Sequence, residues 1–170
     1  MAEIYRYSLI YDLAEDRIAW DTIDREGATT RLWLTQRLAR DLVAAMLPLL
    51  PSALPPMARE RSPQDQAVAQ SFEQAAAMTS FGRTPGVRAE PGATAGLVRA
   101  IQLKPNPQGV DLTFQFGLDQ TRLVSSPHES VRQTLTVLRR LWSGAGWPMD
   151  IWPNWMAEAA PGDVPSGAVN

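Results

Sequence analysis

Residues 110–116 (VDLTFQF) alternate between apolar and polar. Val110, Leu112, Phe114 and Phe116 fall on one side, with Asp111, Thr113 and Gln115 on the other. Period two over this length specifies a strand with one face buried. The same pattern runs through residues 4–12 (IYRYSLIYD), 17–24 (RIAWDTID) and 29–35 (TTRLWLT), where Tyr5, Tyr7, Leu9 and Tyr11, then Ile18 and Trp20, then Leu32 and Leu34 share a face. Ala14 to Asp16 and Arg25-Glu26-Gly27 are the turns between them. Three strands joined this tightly predict an antiparallel meander.

The period then changes to 3.6. Leu38, Leu42, Ala45, Met46 and Leu49 recur at helical spacing behind Thr35, a favoured N-cap residue. Pro48, Pro51, Pro55 and Pro56 end that helix, and residues 51–62 read as a linker. Ser62-Pro63 opens a second helix over 63–78, with a thin apolar stripe of Val68, Phe72, Ala75 and Met78 expected to face inward. The Gly- and Pro-rich residues 79–95 predict a mobile loop.

The second half starts the pattern again. Strands are expected at 97–104, 110–116 and 121–125, separated by Pro105 to Gly109 and by Gly117 to Gln120. Ser126-Pro127-His128-Glu129 reads as a capped helix start. Val131, Leu135, Leu138 and Trp142 face inward from that helix, and Ser143 to Gly146 stop it. Thr30-Arg31-Leu32 aligns with Thr121-Arg122-Leu123, Ile18 and Trp20 with Val110 and Leu112, and Leu38, Leu42 and Leu49 with Val131, Leu135 and Trp142, after small shifts in the turns. Apolar pattern alone would align any two such units about as well.

The expected fold class is therefore α+β: two βββα units (an internal pseudo-repeat) of antiparallel meanders with helices packed on one face, joined by a helical connector. The expected organisation is a single α+β domain over 1–156, built of half-repeats 3–50 and 96–143 with a connector helix at 63–78. A flexible C-terminal tail is expected at 157–170. One meander with one helix is too small to be stable alone. Two could join edges into one six-stranded sheet or stack, with the connector covering an open edge. Such a unit leaves a sheet face or a groove between its halves.

Composition narrows the chemistry. The 170 residues include no cysteine and one histidine, which excludes thiol nucleophiles, disulfides, Cys-based metal sites and multi-histidine centres. A net charge of −2 disfavours nucleic acid or an anionic membrane as partner. No basic-then-apolar leader opens the chain, and the apolar run 42–50 is too short to span a bilayer, so the expected location is the cytoplasm. Lys104 is the only lysine among otherwise arginine cations, a bias expected of a GC-rich bacterial genome.

No constellation is diagnostic of catalysis. His128 stands near Ser125, Ser126 and Glu129 in sequence, but a capping or solvated role suits it. Asp12, Glu15, Asp16, Asp21 and Asp24 surround the first hairpin without the punctuation of a cation loop and read as solvated surface. Residues 85–96 (PGVRAEPGATAG) lack a phosphate-cradle pattern. Arg37 and Arg40, and Arg132 with Arg139 and Arg140, read as solvated helix faces that could at most touch phosphate.

The least ordinary segment is WPMDIWPNWM, residues 147–156. Trp147, Trp152 and Trp155 are half of the chain's six tryptophans. Pro148 and Pro153 predict an extended aromatic strap rather than a helix. It either packs back on its own domain or anchors a partner, since tryptophan is a favoured hot-spot residue. The functional expectation is a non-catalytic binding or assembly protein, acting through a sheet face, the inter-repeat groove or this strap. Trp147, Trp152, Trp155 and Met156 are its partner-binding residues, with no catalytic residue, metal or cofactor. The partner is another protein or a second copy of the chain. The alternative is a small enzyme or nucleic-acid-handling protein that uses carboxylates and arginines.

Overall fold

The computed structural model describes residues 2–82 and 85–158. It is mixed α+β. Strands β1 (Ala2–Asp12), β2 (Arg17–Asp24) and β3 (Thr29–Leu34) pair antiparallel, with Leu9 opposite Trp20 and Trp20 opposite Leu32. Their turns follow from local chemistry. Asp12 Oδ1 accepts the backbone N–H groups of Ala14 and Glu15, both at 3.0 Å. Gly27 takes the positive φ of 88° that the next turn needs. Helix α1 (Gln36–Met46) starts on Thr35, whose Oγ1 accepts from Leu38 N–H at 3.3 Å. Ala39, Leu42, Val43 and Met46 are its buried face. Pro48 and Pro51 convert the following chain into two 3₁₀ turns, Leu47–Leu49 and Pro51–Ala53. Short α2 (Pro56–Arg59) and α3 (Pro63–Met78) follow; the latter opens at Pro63 as expected, and Ser62 caps it.

Strands β4 (Thr94–Asn106), β5 (Gly109–Phe116) and β6 (Gln120–Pro127) pair antiparallel in turn, and α4 (His128–Gly144) follows. The six strands close into one barrel. Two parallel seams close it: Thr30 to Trp33 of β3 beside Thr94 to Leu97 of β4, and Ala2 and Glu3 of β1 beside Arg122 and Leu123 of β6. Closure removes the open edge that the connector helix was expected to cover, and backbone pairing fills the expected join between the halves. Trp20 of β2 meets Phe114 of β5 at 5.1 Å between ring centroids, although their strands are not neighbours in the barrel. Residues from α1 and α4 belong to the same buried cluster.

Several expectations fail for identifiable reasons. Asp21 was expected on a solvated face but is wholly buried, because residues 87–90 lie across the outside of the first meander. Arg31 grips Asp21 with two bonds of 2.6 and 2.7 Å, and Ala89 N–H adds a third. That carboxylate holds the Arg31 guanidinium above its usual pKa. The same bonds, with Val87 N–H on Ser8 Oγ and Glu90 N–H on Thr29 Oγ1, pin part of the loop that composition marks as mobile. Ser126 does not cap α4. It continues β6 opposite Val110, its Oγ lies 3.4 Å from the buried Tyr7 hydroxyl, and Pro127 occupies the N-cap without a side-chain bond.

The largest reversal is α3. Its bounds match the expectation, but its orientation is the opposite. Val68 and Phe72 are 53% and 72% exposed, Ala75 is exposed too, and only Met78 of the expected stripe packs against the core. Gln70, Gln74 and Ala77 face inward instead, onto α4. Beyond α4 the strap is not extended: it forms a 3₁₀ turn at Met149–Ile151 and a short helix, α5 (Asn154–Glu158). Of the tail expected at 157–170, Ala157 and Glu158 belong to α5, and 159–170 lie outside the described residues.

Candidate functional site

The strap is attached to the core at both ends. Trp142, wholly buried on α4, donates its indole N–H to Pro148 O at 2.7 Å. Trp147 and Trp152 set their rings edge-on against it at 4.9 and 5.9 Å. Trp147 also meets Tyr11 edge-on and donates to Asp16 Oδ1 at 3.1 Å. Asp16 is therefore held below its usual pKa, first by the Tyr11 hydroxyl and then by the Trp147 indole. At the next turn, Arg40 of α1 forms a bidentate pair with Asp150. The pair lowers the Asp150 pKa and raises that of Arg40.

Of the four residues expected to bind a partner, Trp147, Trp152 and Met156 are all buried in the chain's own core, at 7%, 8% and 3% exposed, and Trp155 is half-buried against it. Trp152 and Trp155 also come together in the wall of a cleft of about 300 Å³. The cleft opens between the strap, the end of α1 and α3, and Leu47, Pro51, Ile151 and Pro153 complete its apolar wall. Asp150 stands in the wall, already engaged by Arg40.

Gln70 of α3 completes the cleft, and periodicity missed it by assigning the opposite face of α3 inward. Its Oε1 accepts from Arg132 of α4 at 2.6 Å, while its Nε2 is buried without an acceptor. The Trp152 indole N–H is likewise buried and unpartnered. Both N–H groups are closed to solvent, so the surface that the cleft offers is mainly apolar and aromatic. A binding site needs few polar groups on such a surface.

A second cleft of about 320 Å³ lies by the α3–α4 seam, lined by Glu73, His128, Glu129 and Arg132 together with alanines. His128 Nδ1 is buried without a partner, and Glu129 accepts from Ser80 Oγ. Arg132 is 3% exposed, and Gln70 and Gln74 oxygens receive its guanidinium. Burial pulls its pKa down, against a smaller opposing effect of Glu73. Arg99, Gln115, Asp119 and Gln120 help line a third cleft, of about 310 Å³, at the β5–β6 turn. Among the described residues no group of three or more histidines or carboxylates could hold a metal ion, and no helix is long and apolar enough to cross a membrane. Compared with protein-family models, curated proteins and solved structures, the chain matches none.

Proposed function

We propose that this chain is a non-catalytic binding or assembly protein, and that the tryptophan-lined cleft receives an apolar segment of another protein. The observation that carries this reading is that the half-buried Trp155 and the edge of the buried Trp152 lie together with Leu47, Pro51, Ile151 and Pro153 in one apolar cleft wall. Of the strap residues first expected to bind, Trp152 and Trp155 line this cleft and keep that role in the proposal, while Trp147 and Met156 do not line it. The proposal also takes the halves 3–50 and 96–143 as an internal repeat of βββα units. The element order supports it, since each run of three antiparallel strands is followed by an amphipathic helix.

Peptide-library selection on the immobilised chain, run in parallel on a Trp155→Asp variant, tests the cleft. The expected result is a set of sequences enriched by the native chain and lost by the variant. Identical sets from both would remove the cleft from the binding surface.

A further inference from the structure

The parallel seam that closes the barrel covers only the start of β4. Residues 94–97 pair with β3, whose chain then turns away into α1. Over 98–106 the strand pairs with β5 along one edge. Among the described residues no strand pairs with the other edge of that run, and no loop backbone bonds to it. Strand β1 is also paired on one side for most of its length, beyond Glu3. Its Tyr7, Ser8 and Leu9 are nevertheless buried, with α4 reaching the Tyr7 hydroxyl and the strap reaching Tyr11. The run in β4 stays open. Val98 is the one buried residue of 98–106, while Arg99, Gln102 and Lys104 are exposed and Ile101 and Leu103 are half-buried. Backbone polar groups must find partners, so the unpaired N–H and C=O groups of this edge face water.

We propose that this edge of β4 takes an extended, acidic segment of another protein as an added strand. The proposal is separate from the tryptophan-lined cleft and stands without it. A free edge offers every second N–H and C=O to a newcomer, and strand addition is a recurring mode of peptide recognition. Side chains then select the strand. Residues 94–106 carry Arg99 and Lys104 and no carboxylate. Among the described residues neither cation is held in an ion pair. Asp111 stands opposite Lys104 on β5, but its Oδ1 accepts from Ser125 Oγ at 2.8 Å. Opposite charges across a strand pair stabilise it and like charges destabilise it. A second copy is disfavoured on that ground, since joining two β4 edges gathers Arg99 and Lys104 twice over with no acid on either strand. Apolar residues at alternate positions of the newcomer would extend the inner face past Ile101 and Leu103, which pair with Phe114 and Leu112 and are left half-covered. Pro105 has no N–H and ends the row of donors, so the docking stretch is 98–104.

Amide hydrogen exchange of the ¹⁵N-labelled full chain tests this, with an acetylated and amidated octapeptide of alternating glutamate and valine as the probe. Outward amides within 98–104 should exchange more slowly as the peptide is added, and the Trp155 indole resonance should stay in place. An octapeptide of alternating lysine and valine should bind about tenfold or more weakly. A chain carrying both Arg99→Glu and Lys104→Glu should reverse that preference. Both side chains are exposed, so its urea midpoint should stay near the native one. Equal affinity of the native chain for the two peptides, or a preference that the double variant leaves unchanged, would overturn the proposal. Protection of 98–104 that rises with chain concentration alone, with a doubled mass in light scattering, would give the edge to a second copy and overturn it too. No protection at millimolar peptide would show that the edge accepts no strand of this kind and would also overturn it.

Discussion

The aromatic strap and helix α3 both lie on the core from outside, and opposite chemistry holds them there. The strap is seated by rings: Trp147 and Trp152 pack on Trp142, and exposed carboxylates fasten the turns between them. Helix α3 is seated by amides. Gln70 and Gln74 receive Arg132, Gln74 Nε2 donates to Arg132 O at 2.7 Å and to Thr136 Oγ1 at 2.5 Å, and Gln133 Nε2 donates to Ala77 O at 2.8 Å. Burying rings removes apolar area from water and stabilises in proportion. A buried amide–guanidinium ladder mostly exchanges bonds with water for bonds within the protein, so its net contribution is small and its geometry is specific. The strap therefore supplies stability, whereas α3 supplies register.

Truncating the two attachment points separates these roles. Trp142→Ala should cost about 3–5 kcal/mol, as large-to-small core changes of this size do, read as a fall in the urea midpoint at unchanged slope. The indoles of Trp147 and Trp152 should also become accessible to quenchers. Arg132→Ala should cost less, about 1–3 kcal/mol, because the guanidinium leaves Gln70 and Gln74 oxygens unpaired but takes a buried charge with it. Replacing the whole ladder together, as Gln70→Leu, Gln74→Leu and Arg132→Met, should be neutral or stabilising. A loss as large as that of Trp142→Ala from the triple variant would show that the ladder holds α3 by strength and would erase the contrast.

The same contrast explains what could be read from the chain in advance. Alternation placed β2, β3 and β5 to within a residue, and Ser62-Pro63 placed the start of α3, because turns and caps are local chemistry. The inward face of α3 was not legible. Apolar periodicity marks the face that seeks an apolar core, and it is blind to two polar faces that bury each other. Arg132, beside Gln133 and Thr136, reads as solvated unless α3 is already known to cover it. Asp21 failed for a related reason: its cover comes from residues 87–90, distant in sequence and composed like a loop. Barrel closure depends on two parallel seams whose residues carry no pairing signature. In the cleft, the tryptophans were legible from composition. Gln70 was not, because its role depends on the orientation of α3.

Acid should loosen the strap before it loosens α3. Asp16 and Asp150 both titrate below the ordinary aspartate range, since bonds from Tyr11 and Trp147 in one case and from Arg40 in the other favour the charged form. Their contribution is full above the range where aspartates of the unfolded chain ionise, and it is lost as pH falls through their lowered native values. Both are exposed, so the effect is modest. Tryptophan emission should shift to longer wavelength across that acid range while helical circular dichroism persists. A chain carrying both Asp16→Asn and Asp150→Asn should show the shift partly developed at neutral pH and little further change on acidification. An acid transition equally large in that double variant would assign it to other carboxylates.

The smallest expected effect is on the outer face of α3. Phe72 is the bulkiest side chain that the helix exposes, and inward packing of its stripe would make Phe72→Ser costly. With the amide face inward, the side chain is 72% exposed, and the change should stay within about 0.5 kcal/mol of native stability. Gln74→Ala, two residues on and facing α4, should exceed it, because Arg132 O and Thr136 Oγ1 lose their donor. Chemical denaturation of the two variants side by side therefore reads the orientation of α3 directly. A destabilisation by Phe72→Ser larger than that by Gln74→Ala would turn the helix over and take Gln70 out of the cleft wall.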